Sequence, residues 1–320
     1  MLRDKSFSDI YLGQSKSWLA GVPGTLDPVP APEECKEELS SLREACDKFI
    51  GTSAKEEFAI RHRDVAYRVS TLNSMNEKVY VLRRFPKDVP SLDSIGLHPA
   101  YIDLLMQPGL TGLLVIAGAF GQGKTTTASA IISSRLGKYG GVGITIEDPP
   151  EMPLEGQHGE GVCYQTWVEQ GSFGNACRQA ARWAPSIIFV GEVRDSETAA
   201  EALRASINGR LVVCTTHADS VPMAIERIYS LAHGEVGNAD DVSSLLGNGL
   251  LGVIHQRLEV LHQGTTGDRR RPRHEFLWLG GNDAQGTRNI IRTRRFEQIG
   301  SEVTLQLNRL LMQGNKQGVA

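Results

Sequence analysis

From residue 112 onward, short apolar runs alternate with longer amphipathic stretches. The runs predict strands at Leu113–Ala117, Gly143–Glu147, Ser186–Val190 and Leu211–Thr215. The stretches between them predict helices at Thr125–Leu136, Ser172–Ala184, Ser196–Asn208 and Val221–Ala232. Short apolar strands alternating with helices mark a parallel sheet wrapped by helices, the α/β class. Past Asp240 the pattern predicts a helix over Val242–Ile254, a hairpin of Glu259–His262 with Glu275–Leu279, and more helix to the end.

Upstream the periodicity differs. Within Glu34–Phe49, Leu39, Leu42, Cys46 and Phe49 recur at steps of three and four, one face of an amphipathic helix. Val65–Val69 and Lys78–Arg83 read as paired strands across a turn at Asn73–Asn76, and Gly21–Pro32, with four prolines and two glycines, reads as a loop. The organisation expected is a small α+β domain over 1–90, a linker over 91–111, and an α/β domain with C-terminal helices over 112–320.

The chain has 320 residues, 40% apolar and 22% charged, with a net charge of −3. This suits a soluble protein with a sizeable core and gives no general electrostatic reason to bind nucleic acid. Five scattered cysteines, Cys35, Cys46, Cys163, Cys177 and Cys214, contain no C-x-x-C pair, so buried free thiols are expected rather than disulfides or a zinc site. The first residues lack the apolar core of a signal peptide and no stretch approaches the roughly 18 apolar residues of a membrane span, so a cytoplasmic location is expected.

Chemistry enters at Gly118-Ala119-Phe120-Gly121-Gln122-Gly123-Lys124-Thr125, a G-x-x-x-x-G-K-T phosphate loop placed between a predicted strand and a predicted helix. In such a loop, glycines let backbone N–H groups converge on phosphate oxygens, the lysine reaches the β and γ phosphates, and the threonine hydroxyl ligates Mg²⁺. The loop residues through Thr126 are therefore the candidate nucleotide-binding residues, with ATP and Mg²⁺ expected. A phosphate loop also needs carboxylates at neighbouring strand ends. Ile144–Glu151 ends an apolar strand with three acids, and Ile187–Glu192 ends the next with one. Leu211–His217 ends a fourth strand on the same edge, where His217 suits either a phosphate contact or a solvent-facing imidazole.

These segments carry a family resemblance. Ile144–Glu151 resembles the Asp box (T-I-E-D-P-I-E) of the PilT-type secretion ATPases, the motors of pilus retraction and their relatives, of the DotB kind, in secretion and conjugation. Gly191-Glu192-Val193-Arg194-Asp195 resembles that family's Walker B motif, and Gly209–His217 its His box; Ser8–Leu12 and Gly252–Leu258 are similar more weakly. The resemblance implies a RecA-like P-loop ATPase core preceded by a PAS-like N-terminal domain. Carried over by position, it makes Glu151 the carboxylate that orients the attacking water, Glu192 the Walker B acid near Mg²⁺ beside Thr125, and His217 the second histidine of the His box. Arg210 stands where the first histidine is usual, Arg182–Ser186 where R-E-D-P-D is usual, and Thr111 where relatives often carry an arginine.

The family works as homo-hexameric rings in which the N-terminal domain of one subunit closes over ATP bound to another, with arginines supplied in trans. By position Arg68 and Arg83 resemble those arginines, with Arg84 an adjacent candidate. The resemblance further implies attachment at the inner membrane to a platform protein of a pilus or secretion apparatus. It implies no direct nucleic-acid contact and no metal besides Mg²⁺. The absence of cysteine after Cys214, where assembly motors commonly carry a four-cysteine zinc insert, favours the retraction type or its conjugation and effector-delivery relatives. Arg292, Arg294 and Arg295 resemble part of a C-terminal helix of retraction motors. The runner-up is a RecA-like DNA motor or helicase, which should show basic residues lining a pore. The basic run Asp268–Arg273 reads instead as a solvated hairpin tip. A GTPase switch would need N-K-x-D, and Asn315-Lys316-Gln317-Gly318 lacks the aspartate.

Overall fold

The computed structural model describes residues 2–25, 27–52, 56–168, 173–262 and 268–317. The chain forms two compact units, residues 1–88 with 149–153, and 89–148 with 154–320.

In the first unit six strands form one antiparallel sheet: β1 (Asp9–Leu12), β2 (Ser17–Ala20), β3 (Val29–Pro30), β4 (Glu57–His62), β5 (Val65–Asn73) and β6 (Lys78–Arg84), in the order β3-β2-β1-β6-β5-β4. Strand alternation puts Ile10, Leu12, Leu19, Phe58, Tyr67, Val69, Tyr80 and Leu82 in a buried set. Helix α1 (Lys36–Thr52) adds the buried Leu39, Leu42 and Cys46, the stripe its spacing predicts. Arg43 and Asp47 tie that helix to the sheet, Arg43 donating to the carbonyls of Leu12 and Lys78, and Asp47 accepting from the Tyr80 hydroxyl at 2.6 Å. The β5–β6 connection is the tight loop Ser74–Glu77, closed by Ser74 N–H donating to the Glu77 carbonyl at 3.0 Å.

In the second unit the elements run α2 (Pro99–Leu105), β7 (Gly112–Ala117), α3 (Lys124–Tyr139), β8 (Gly141–Glu147), β9 (Gly156–His158), β10 (Gly161–Trp167), α4 (Phe173–Arg182), β11 (Ile187–Val190), α5 (Ser196–Ile207), β12 (Leu211–Thr216), α6 (Val221–Val236), α7 (Ala239–Gly249), β13 (Leu250–His262), β14 (Asp268–Trp278), α8 (Gln285–Arg292) and α9 (Ile299–Gln317). The sheet order is β14-β13-β7-β12-β11-β8-β10-β9, parallel from β13 to β10 with an antiparallel strand at each edge. Successive residues of β7 alternate between two apolar layers. Leu113, Val115 and Ala117 pack with residues of α5 and α6, and Leu114 and Ile116 with residues of α2 and α3. Both faces are covered, which is why the central strands read as continuous apolar runs. All five cysteines are buried free thiols. No helix among the described residues is long and apolar enough to cross a membrane.

Three expectations change. Residues 91–111 are not a linker. Leu92, Ile95, Leu97, Tyr101 and Leu105 are buried in the core of the second unit, and Tyr101 meets Phe276 edge to face at 4.7 Å. The buried Arg135 donates to the carbonyls of Leu105 and Gln107, closing the C-terminal end of α2. A seven-residue helix is too short to show a period, so its apolar residues carried no element signal. The helix expected over Val242–Ile254 stops at Gly249, and Leu250–Ile254 begins β13, since a fully apolar run buried on both faces does not distinguish strand from helix. The hairpin is consequently longer and registered differently, with Glu259 opposite Arg271 and His255 opposite Glu275. Asp268–Arg273, expected as the hairpin tip, is instead the first part of β14 paired with β13, while 263–267 and the expected start of α4 at Ser172 lie outside the described residues.

Truncating Tyr101 to alanine should therefore lower the unfolding free energy by about 3 kcal/mol, the range for removing a buried aromatic ring. Denaturant melts that differ from wild type by less than about 0.5 kcal/mol, the range of a surface substitution, would show that this segment is a linker after all.

Candidate functional site

Parallel pairing sets the site. In the register of the sheet, Ala117 of β7 lies opposite Thr216 of β12, Cys214 opposite Val190 of β11, and Val190 opposite Ile146 of β8. The segments leaving these strands, 118–125, 217–219, 191–195 and 147–148, therefore emerge along one edge, where parallel α/β sheets bind ligands.

The loop after β7 turns on three glycines with positive φ, Gly118 at 154°, Gly121 at 72° and Gly123 at 78°. Space adds a second constraint at Gly118, where a Cβ would stand 2.3 Å from the carbonyl oxygen of Gln256. Gly123 is followed by the 16-residue α3, whose first-turn N–H groups and positive dipole end face the loop. Lys124 opens that helix; it is 8% exposed, and its ammonium donates to the carbonyls of Gly118 (2.9 Å) and Ala119 (2.8 Å). Thr125 and Thr126 are half-buried in the first turn, whereas Ala119, Phe120 and Gly121 are exposed. An anion held there would meet backbone donors, an ammonium and a helix N-terminus together.

Glu192 and His217 stand beside this loop. The His217 Nε2 lies 3.2 Å from one oxygen of Glu192, and Arg194 donates to the other at 2.6 Å. The His217 ring stacks against Phe120 with centroids 6.4 Å apart. Partial burial, then the positive charge of Lys124, holds the His217 imidazole below its usual value, while Glu192 acts in the opposite direction. The open choice between a phosphate contact and a solvent-facing ring thus narrows, because His217 is packed against both the loop and the acid.

Glu147, the first acid of the β8 segment, is 2% exposed, accepts from Gln165 at 3.0 Å and packs against Gly191. Asp148 accepts from the Trp167 indole at 2.9 Å. The third acid, Glu151, is exposed in the segment Pro149–Pro153 that groups with the first unit, where its carboxylate lies 3.6 Å from the Arg68 guanidinium. Arg68 also donates to Glu57 at 3.2 Å. On the neighbouring strand Arg83 stands directly opposite Arg68, and its Nε donates to Asp9 at 2.8 Å. Two guanidiniums in opposite positions repel, and the flanking acids Asp9 and Glu57 offset this. Arg84 faces the other side of the pleat, donating to the Lys5 carbonyl and covering the Phe7 ring.

Arg210 donates to its neighbour Asn208 and Arg294 pairs with Asp240. Arg292 donates to Asn248. Arg288, which carried no expectation, donates to the carbonyls of Gly247, Asn248 and Leu279, tying α8 to the end of α7. Gln256, without an expected role of its own inside the weakly family-like Gly252–Leu258, reaches the loop from β13.

A glycine-built phosphate loop on an interior strand of a parallel sheet, with a histidine at the end of the neighbouring strand and a carboxylate at the end of the next, defines a P-loop ATPase. The chain belongs to the type II/IV secretion system protein family, whose model matches residues 43–293. It is 30% identical over 288 residues to a twitching motility protein of Neisseria gonorrhoeae, covering 88% of this chain and 74% of that one. It is 34% identical over 229 residues to the type II secretion system protein E of Klebsiella pneumoniae, covering 69% of this chain but 42% of that longer protein. Among solved structures it is similar to the pilus retraction motor PilT with bound ADP, at a TM-score of 0.76 and 28% identity, covering 93% of this chain and 86% of that one. The fold is also that of the Legionella pneumophila ATPase DotB, at a TM-score of 0.71 and 22% identity, covering 96% of this chain and 88% of that one.

By proton NMR, His217 should titrate below pH 6.5, and Glu192→Gln should move it lower still, because the lost carboxylate is the neighbour that favours the protonated ring. A titration that stays put or rises in the variant would separate the two side chains.

Proposed function

We propose that this protein hydrolyses Mg-ATP as a hexameric motor at the cytoplasmic face of the inner membrane, driving a type IV pilus or a type IV secretion or conjugation apparatus through a platform protein. The observation that carries the reading is the clustering of Lys124, Glu192 and His217 at one edge of the parallel sheet. Membership of the secretion family and the likeness to a pilus retraction motor support it.

In this reading the N–H groups of 119–125 and the Lys124 ammonium bind the β and γ phosphates. Thr125 and Glu192 offer the hard oxygen ligands that Mg²⁺ takes, and the ion, when bound, would supply positive charge to the phosphate oxygens. Water attacks the γ phosphorus, the bond to the bridging oxygen breaks, and ADP and phosphate leave. Glu151 accepts a hydrogen bond from that water and orients it, a role supported by its match to the Asp box. His217, stacked on Phe120 and paired to Glu192, is suited to sense the γ phosphate. Arg68 and Arg83, side by side on one sheet face, are suited to reach a neighbouring subunit's nucleotide, where added positive charge stabilises the transition state.

Lys124→Ala and Glu151→Gln should each lower the steady-state ATPase rate by about 10²-fold or more. Near-wild-type turnover by the first would reject ATP hydrolysis at this loop, and by the second the role given to Glu151. In the assembled ring Arg83→Ala should slow hydrolysis by a factor on the order of 10³ while leaving ADP affinity unchanged; an unchanged rate would remove Arg83 from catalysis.

A further inference from the structure

The backbone ladder between β7 and β13 ends at Ala117 opposite His255. One residue further on, the strands part as β7 becomes the phosphate loop, and side chains take over the pairing. Gln256, 4% exposed, donates from Nε2 to the Gln122 carbonyl at 2.5 Å. Its Oε1 accepts from the Thr127 hydroxyl at 2.5 Å and lies 3.2 Å from His274 Nε2. Gln122 returns the contact, its Oε1 accepting from the Leu258 N–H at 2.5 Å. Burial pushes His274 down to about 4, against a backbone hydrogen bond with Gly96 that acts the other way, so the ring beside Gln256 is neutral near pH 7. The amide of Gln256 thus has a partner for each end.

The direction of these bonds matters for phosphate binding. In a planar trans peptide the C=O and the following N–H point opposite ways. Tying the Gln122 carbonyl to β13 therefore turns the Gly123 N–H away from β13, and with φ of 78° Gly123 has no steric preference of its own to hold it. We propose that Gln256 is a positioning residue for the phosphate groups of a nucleoside di- or triphosphate: through the Gln122 carbonyl it orients the Gly123 N–H, and through Thr127 it fixes the first turn of α3 against the loop. The proposal rests on the ATPase reading above and extends it to a side chain outside the phosphate loop.

The test uses the full chain and ADP with Mg²⁺. Gln256→Glu keeps the shape but turns the donor to Gln122 into a carboxylate oxygen, so calorimetry at pH 8 should show about tenfold weaker ADP binding. Buried beside the Gln122 carbonyl, the introduced carboxyl is held above the usual carboxylate range, so as pH falls toward 5.5 it gains a proton and can donate again. Affinity relative to wild type should then recover, a behaviour that a purely structural role would not give. Gln256→Met, which has no proton to regain, should bind weakly at both pH values. Binding by Gln256→Glu within twofold of wild type at pH 8, or a deficit that does not change with pH, would overturn the proposal. Should the variants fail to fold, hydrogen exchange on the wild type decides. ADP should slow exchange of the Leu258 amide, and unchanged exchange would also overturn it. Loss of binding on Lys124→Ala with Gln256→Glu unaffected would remove only the positioning role, whereas a wild-type chain that neither binds nor hydrolyses ATP would remove the ATPase reading itself.

Discussion

Parallel pairing of β7, β12, β11 and β8 is the constraint from which the site follows. Because all four strands run the same way in register, their polar exits must leave the sheet on one edge, and residues far apart in sequence become neighbours. Glu192 and His217 meet at 3.2 Å for this reason. That edge can hold buried charge because each group has a partner. Lys124 has loop carbonyls, Glu192 has Arg194 and His217, Glu147 has Gln165, and Asp148 has the Trp167 indole. A site whose groups are already partnered keeps its shape and needs little reorganisation when a charged ligand arrives.

Much of this arrangement was legible in the residues, and what was not has physical causes. The strands carrying the phosphate loop, Glu192 and His217 were predictable because sheets covered on both faces demand apolar runs, and each run here stops at a polar exit. The same demand hid β13. Leu250–Ile254 is apolar at every position, so no period tells strand from helix, and Gln256 lies just beyond the segment Val242–Ile254 that reads as helix. Helix α2 was hidden by its length. Its seven residues give too few turns for a stripe, and Tyr101 and Leu105 gain their meaning only from Phe276 and Arg135, far along the chain. Strand β10 was missed because it is near an edge, flanked by β9 and β8, and its buried positions are sparse.

In the first unit the legible signal was alternation, and it separates two arginines adjacent in sequence. The pleat sends Arg83 to the face shared with Arg68 and Asp9, and Arg84 to the face shared with Phe7 and the Lys5 carbonyl. Position in the motif favours Arg83 and keeps Arg84 as an adjacent candidate, and the pairing places the two on opposite faces. Arg84 is engaged in holding the N-terminal segment, and only Arg83 lies in the charged row with Asp9, Arg68 and Glu57.

That separation depends on the connection Ser74–Glu77, which sets how β6 returns along β5. A strand shifted by a single residue exchanges its two faces, so one added or lost residue in this bend would exchange the duties of the two guanidiniums while leaving every charged side chain intact. The bend contributes no reactive group, yet its span decides which cation the sheet displays and which it hides.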